Sequence, residues 1–318
     1  MRTNGTPIRA ATLLACLITV LVAGAASDAS AQQRARQGLL SLEDARLFYE
    51  VLGNGDPIVV VHGGPGLDHA YLQPGLDALA NRNTLVYYDQ RGTGRSVTSL
   101  DESGVNLDAF VADIEALRET LGYDRITVLA HSFGALIGLD YAERYPQSVR
   151  ALILMNPVEP GGRYAAERVA RQQAARTPDD STELATLTSS EGFAARDPAT
   201  VSQVFRVQFR QTLRDRTRIS ELDLDLAEST AENGSEVARL LGESLGELDW
   251  WDRLPEIDVP TLVLHGRYDL MPQVVSQEIA TALPRGRLVV LDSGHFPYVE
   301  DRDGLVSAVS SFLVDLSR

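Results

Sequence analysis

Lysine is absent from this 318-residue chain, and all 29 cationic side chains are arginine. A lysine Schiff base and a phosphate loop that depends on lysine are therefore excluded. Cysteine occurs once, as Cys16, in a segment expected to be removed. The mature chain then carries no disulfide, no cysteine nucleophile and no thiolate metal site. Positive charge is scarce overall: the net charge is -15 and the isoelectric point near 4.8. Long-range repulsion opposes approach to nucleic acid or an anionic membrane, so neither is expected as a partner. None of the five histidines pairs with another at helical spacing, so no metal is expected, and no motif calls for a cofactor. What is present is ordinary for a globular protein. Apolar residues make up 44%, enough for a full core in one large α/β domain or two smaller ones.

The N-terminus has the order of a secretory signal. Arg2 and Arg9 give a basic start, Ala10 to Ala26 is apolar, and Ala29-Ser30-Ala31 supplies small residues for cleavage before Gln32. Residues 1–31 are read as a signal peptide, which implies a secreted or periplasmic protein with no stable membrane association after cleavage. The alternative is a membrane anchor, but the run falls slightly short of the ~20 residues a spanning helix needs. Cys16 lies inside the apolar run, too early for a lipoprotein site.

Short apolar runs recur along the mature chain. Ile58 to Val61, Thr84 to Tyr88, Ile126 to Leu129, Ala151 to Met155, Thr261 to Leu264 and Leu288 to Leu291 read as strands buried on both faces. Arg46 to Leu52 reads as a further strand, feeding a turn over Gly53 to Pro57. Between them, Leu107 to Leu121, Phe133 to Tyr145, Val274 to Leu283 and Leu305 to Leu316 have helical spacing. Alternating strands and helices predict a parallel sheet covered on both sides. One stretch, 158–248, is charged, helical and strand-free. It is read as a helical cap inserted between core segments 32–157 and 249–318.

Three motifs carry chemistry. Ala130-His131-Ser132-Phe133-Gly134 joins a predicted strand to a predicted helix, the setting in which a sharp turn lifts a serine hydroxyl above a sheet edge. A serine at such a junction is by default only a helix cap, so the motif needs partners. They follow in the order serine, acid, histidine: Asp269 past the strand Thr261 to Leu264, and His295 past the strand Leu288 to Leu291. All three then meet at one sheet edge, where open α/β sheets place their sites. The residue types suit nucleophilic catalysis. A serine hydroxyl needs a base, histidine titrates near neutrality, and a carboxylate fixes the imidazole's tautomer and stabilises its charge. Asp292 and Glu300 are rival acids, expected instead to cover surface or cap a helix. Finally, His62-Gly63-Gly64-Pro65-Gly66 follows a buried strand. Its glycines allow close backbone approach to a substrate oxygen, and the N–H groups of Gly64 and Phe133 are the candidate oxyanion donors. Of the other histidines, His131 is expected to pack behind the turn, His62 to hold its own loop, His265 to be structural, and His69 to sit in a loop near the pocket mouth.

His62-Gly63-Gly64-Pro65-Gly66, with Asp89-Gln90-Arg91-Gly92-Thr93-Gly94-Arg95-Ser96, resembles the proline iminopeptidase group of α/β-hydrolases. The similarity spans about Leu40 to Leu316 and is weakest in the cap. It implies an α/β-hydrolase fold: a mostly parallel central sheet, helices on both faces and an inserted helical cap. It further implies removal of an N-terminal proline from a short peptide, oxyanion donation by Gly64 and Phe133, and a bracing role for Asp89 to Ser96. That group usually has Gly-Gly-Ser-Trp-Gly at the nucleophile, and the motif here is closer to those of esterases. The group also holds the substrate ammonium with cap glutamates; Glu221, Glu228, Glu232 and Glu243 are candidates, and no motif singles one out. The leading expectation is a serine hydrolase acting on a small acyl or short-peptide substrate, most specifically a proline iminopeptidase-type aminopeptidase. A carboxylesterase or lactonase is the close alternative, and a non-catalytic binding protein on the same scaffold the distant one.

Overall fold

The chain is described by a computed structural model, in which residues 35–316 are described; segment 1–31, expected from the sequence to be a signal peptide, lies outside the described residues. β1 (Arg36–Ser41), β2 (Ala45–Gly53), β3 (Asp56–Val61), β4 (Asn83–Tyr88), β5 (Val97–Thr98), β6 (Ile126–His131), β7 (Val149–Met155), β8 (Thr261–Gly266) and β9 (Gly286–Leu291) form one sheet. Its order is β1-β2-β4-β3-β6-β7-β8-β9, with β5 added beside β2. Every residue of β4, β6 and β8 is buried, as expected of strands covered on both faces. β3 onward pairs in parallel, while β1, β2 and β5 make the antiparallel end.

Side chains alternate between two cores, as the twofold period of a strand requires. Val59 and Val61 of β3 join Val128 and Ala130 of β6 on one face. Ile58, Val60 and Leu129 join the other. The helices are α1 (Gln73–Leu76), α2 (Leu107–Thr120), α3 (Gly134–Arg144), α4 (Ala165–Ala175), α5 (Pro178–Thr188), α6 (Glu191–Ala194), α7 (Pro198–Arg210), α8 (Glu228–Leu245), α9 (Gln273–Ala282), α10 (Pro297–Glu300) and α11 (Arg302–Asp315). α2, α3 and α9 cover the first core, and α11 covers the second.

Several boundaries differ from the sequence expectation. The turn expected over Gly53 to Pro57 shrinks to Asn54 and Gly55, because β2 runs through Gly53 and β3 starts at Asp56. β1 was not expected; four of its six residues are exposed, and it exists by pairing with β2. The last helix starts at Arg302, capped by the Asp301 carboxylate, which accepts from Gly304 N–H.

Between β7 and β8 the described chain has α4 to α8 and no strand. α8 seats on the core where two glycines meet. A β-carbon on Gly66, whose φ is +84°, would lie 2.0 Å from the Gly234 carbonyl, so neither backbone tolerates a side chain there. Thr230 Oγ1 donates to Asp68 at 2.7 Å and accepts from Gly94 N–H at 2.8 Å. The helical segment is thus fastened to the loops after β3 and β4.

Candidate active site

The sheet order reverses between β3 and β6, whose connections leave in opposite directions. Such a switch point opens a crevice at the carboxyl ends of the strands. The loops after β3, β6, β7, β8 and β9 all gather there.

Ser132 follows β6 directly and has φ +55°. A side chain in the left-handed region costs on the order of 1–3 kcal/mol and persists only where neighbours enforce it. They do so here. Ser132 N–H donates to Met155 C=O at 3.0 Å, while Ser132 C=O accepts from Ala135 at 3.1 Å and Val158 at 3.3 Å. Gly134 is required next to it, since a β-carbon would lie 2.6 Å from the His62 carbonyl. Ala130 is tolerated two residues before the serine because it faces a glycine. A β-carbon on Gly138 would be 3.0 Å from that of Ala130.

The three residues singled out from the sequence come together. His295 Nε2 lies 3.0 Å from Ser132 Oγ, and His295 Nδ1 lies 2.8 Å from Asp269 Oδ2. The loops carrying acid and base are stitched together. Arg267 N–H donates to Leu291 and Tyr268 N–H to Ser293, each at 2.9 Å. Gly266 allows this, for a β-carbon there would meet the Gly294 carbonyl at 1.9 Å. Asp269 is buried, which by itself raises its carboxyl. The opposing His295 charge and the bonds from His295 and Asn156 outweigh burial, and the carboxyl stays below the usual range.

Sequence reasoning missed Asn156. It follows β7 directly with φ +48° and donates to Asp269 Oδ2 at 2.5 Å and to the Gly294 carbonyl at 3.3 Å. Asp269 Oδ1 accepts from Met271 N–H at 3.0 Å. Both carboxylate oxygens are thereby held. The one available signal for Asn156 was its position just past a strand end.

The rival acids do other work. Asp292 pairs with Arg214. Glu300 accepts three backbone N–H bonds: Gly294 at 2.7 Å, Asp215 at 2.8 Å and Arg214 at 3.2 Å. With the bond from His295 N–H to Thr212 C=O at 2.9 Å, it joins segment 212–215 to the histidine loop.

Gly64 lies in the loop after β3, next to Gly63, and Phe133 directly follows the nucleophile. Gly63 packs against it, since a β-carbon on Gly63 would lie 2.9 Å from that of Ser132. Phe133 is the N-cap residue of α3. The N–H of Gly63 is already engaged by Tyr71 Oη at 2.7 Å.

His62 holds its loop, with Nδ1 2.9 Å from Gly63 C=O and Nε2 accepting from Gln90 N–H at 3.1 Å. His265 contacts Ser276 Oγ at 2.9 Å. His69 is not at a pocket mouth. It is 5% exposed, stacked on Phe48 and paired with Asp89 at 2.5 Å. A polar loop residue was drawn inward because Asp89, returning after β4, supplies a buried carboxylate. Arg91 braces its loop by pairing with Asp44 and Asp113. Among the cap acids, Glu221 pairs with Arg218 and Glu243 with Arg239, while Glu228 and Glu232 are exposed. Glu159 is the buried acid near the nucleophile. Its Oε2 accepts from Tyr164 N–H at 2.7 Å, and its Oε1 has no partner among the described residues.

Comparison with known proteins agrees with this architecture. A family model for the α/β hydrolase fold matches residues 56–302. A proline iminopeptidase of Heyndrickxia coagulans is 27% identical over 294 residues, covering 87% of this chain and 98% of that protein. The crystal structure of a proline iminopeptidase-related protein from Thermus thermophilus superposes with a TM-score of 0.66 at 27% identity, covering 89% of this chain and 98% of the other. A thermophilic esterase from Thermogutta terrifontis superposes as well, with a TM-score of 0.67 at 23% identity, 89% of this chain and 99% of that one; that likeness concerns the fold alone. The chain belongs to the α/β hydrolase fold family and resembles its proline iminopeptidase group.

Proposed function

We propose that this chain is a serine hydrolase working through an acyl-enzyme, and that its substrate is a short peptide or small amide with a free N-terminal amine. The carrying observation is the line Ser132 Oγ, His295, Asp269, at 3.0 and 2.8 Å. Ser132 Oγ adds to the substrate carbonyl as His295 Nε2 takes its proton. Gly64 and Phe133 N–H groups receive the developing oxyanion. His295 then hands the proton to the leaving amine as the carbon–nitrogen bond breaks. Water, deprotonated by the same imidazole, releases the acid and frees Ser132. Asp269 remains ionised and stabilises the imidazolium. A single oxyanion donor contributes roughly 3 kcal/mol to such a step. Because His295 must be unprotonated to begin, the rate falls on the acid side, and Asp269, held low, is not the group that causes the fall.

A fluorophosphonate probe tests the mechanism. It is expected to label wild-type protein at Ser132, and Ser132→Ala is expected to lose both label and turnover while keeping its melting temperature. Turnover surviving in that variant removes the reading.

The likeness to proline iminopeptidases supports the amine preference, and Glu159 is the carboxylate proposed to meet the ammonium. It lies one residue past Val158, which hydrogen-bonds Ser132, and is 5% exposed. The esterase reading stays as the alternative, favoured by an alanine-histidine pair before Ser132. Proline arylamide, its N-acetyl form and a short p-nitrophenyl ester separate them. The aminopeptidase reading expects acetylation to remove most of kcat/KM, and Glu159→Gln to lower the free-amine rate far more than the ester rate. Equal kcat/KM for free and acetylated arylamide leaves an esterase. We also propose export with cleavage before Gln32; N-terminal sequencing of the mature protein finding Met1 retained would refute it.

A further inference from the structure

Three parts must keep register for this chemistry: the glycine loop after β3, the nucleophile after β6 and the loop that carries His295. They come from separate strands, and the bonds within each part do not fix its distance to the others. We propose that Tyr71 and His131 are positioning residues forming one hydrogen-bonded brace from the glycine loop to the backbone of His295. The proposal rests on the serine-hydrolase reading above.

The bonds run in one direction only. Gly63 N–H, a pure donor, meets Tyr71 Oη at 2.7 Å. The phenol oxygen therefore accepts, and its single proton points elsewhere. Its other neighbour is His131 Nδ1, at 2.8 Å, which must be the bare nitrogen. In a neutral imidazole the proton then sits on Nε2. Nε2 lies 3.0 Å from the His295 carbonyl, a pure acceptor. Every atom in the series has one available role, so the brace has one proton arrangement and one polarity.

The surroundings favour that arrangement. Tyr71 and His131 are 3% and 1% exposed. The His131 ring faces His295 with centroids 4.9 Å apart, and packs on Phe296 and Tyr298. Burial, and then the charge on His295, push His131 down to about 3. It stays neutral while His295 cycles through its charged form, so the proton taken from Ser132 is not shared with a second imidazole 4.9 Å away. Burial likewise raises the Tyr71 phenol, which removes it as an acid or base near neutrality.

The brace also settles what Gly63 does. Its N–H is occupied by Tyr71, and its missing side chain lets the loop close on Ser132. Replacing Tyr71 with phenylalanine deletes one oxygen and keeps the ring. It leaves Gly63 N–H and His131 Nδ1 buried without partners, so two parts of the site lose their common reference.

The test compares wild type with Tyr71→Phe and His131→Phe, singly and together, by steady-state kinetics and by the rate of fluorophosphonate labelling. Tyr71→Phe is expected to lower kcat and the labelling rate together, at least tenfold, with KM within about twofold and the midpoint of the acid limb unchanged. The double variant is expected to lose little more than the worse single one, because either change opens the same brace. The chain has five histidines, so ¹⁵N-histidine spectra resolve His131 directly; the Nε2–H tautomer is expected at neutral pH in wild type. A role in packing alone would lower the melting temperature and leave the labelling rate of folded protein untouched, and that result overturns the proposal. So does an Nδ1–H tautomer at His131. Absence of labelling at Ser132 in wild type removes the serine-hydrolase reading and the brace with it. Wild-type labelling with unchanged Tyr71→Phe kinetics removes the brace alone.

Discussion

The acid of the candidate triad is held by more groups than catalysis by a simple Ser–His–Asp line requires. Asp269 Oδ2 is shared between His295 and Asn156, and its Oδ1 is fixed by Met271 N–H. Asn156 reaches it from β7, the strand beside β8, so the carboxylate is clamped across two strand ends. The His295 charge and hydrogen bond, with the Asn156 amide added to them, outweigh burial and keep the carboxyl below its ordinary value. Asn156→Leu keeps the approximate volume and removes the donor. A hydrogen bond to a charged group contributes about 1.5–3 kcal/mol, so kcat is expected to fall by roughly one to two orders of magnitude. Ser132 should still be labelled, more slowly. An unchanged kcat would mean that His295 alone is sufficient to hold Asp269 in place.

At the scale of elements, one carboxylate fastens the helical insertion to the histidine loop. Glu300, at the end of α10, accepts from Gly294, Arg214 and Asp215, and Gly294 leaves room for segment 212–215 because a β-carbon would meet Thr212 C=O at 2.2 Å. Glu300→Ala orphans three donors at the edge of solvent. The expected result is a lower melting temperature and faster proteolytic cleavage near Arg214, both visible without substrate. Glu300→Gln should be intermediate, since its amide retains one accepting oxygen. Equal cleavage rates in wild type and Glu300→Ala would show that the other bonds suffice. This element also marks the limit of what sequence could tell. Ser132, Asp269 and His295 were legible because each sits just past a short apolar strand, a local pattern, although β9 before His295 is only partly buried. Most of the strands and core helices were legible for the same reason. The sequence pattern puts Glu300 on the surface or in a helix cap and His69 near a pocket mouth, and it singles out neither Asn156 nor Tyr71. Their partners lie 20 to 113 residues away, apart from Gly63 and Gly294, and no periodicity encodes a partner at that distance. β1 escaped for a similar reason, because its neighbour and not its own composition makes it a strand.

Across the whole molecule, charge is tied down unevenly. The surface pairs are mostly arginine–carboxylate contacts half open to water, each contributing about 0–1 kcal/mol. Arg91–Asp113 and His69–Asp89 are buried instead, and the second holds a group that titrates near neutrality, with side chains 6% and 2% exposed and 2.5 Å between them. Burial alone would lower His69, but the Asp89 bond and charge reverse this, and His69 ends above its ordinary value. Asp89 is raised by burial and lowered further by His69 and Arg95 N–H, ending below its ordinary value. The signs then set a window. Folded His69 binds its proton more tightly than unfolded His69, so its contribution is fully present below about pH 6.5, the unfolded value, and is lost as pH rises through the higher folded one. Asp89 contributes above about pH 3.9 and loses that contribution as pH falls through its lower folded value. Together they favour the fold most on the mildly acid side. Urea midpoints measured from pH 5 to pH 9 are expected to decline on the alkaline side in wild type. His69→Asn removes the titrating group, so its midpoint should be lower at pH 5 and its alkaline decline shallower, the two curves converging as pH rises. Parallel curves would show that His69 does not carry the proton in the folded state, and that it stays neutral beside Asp89.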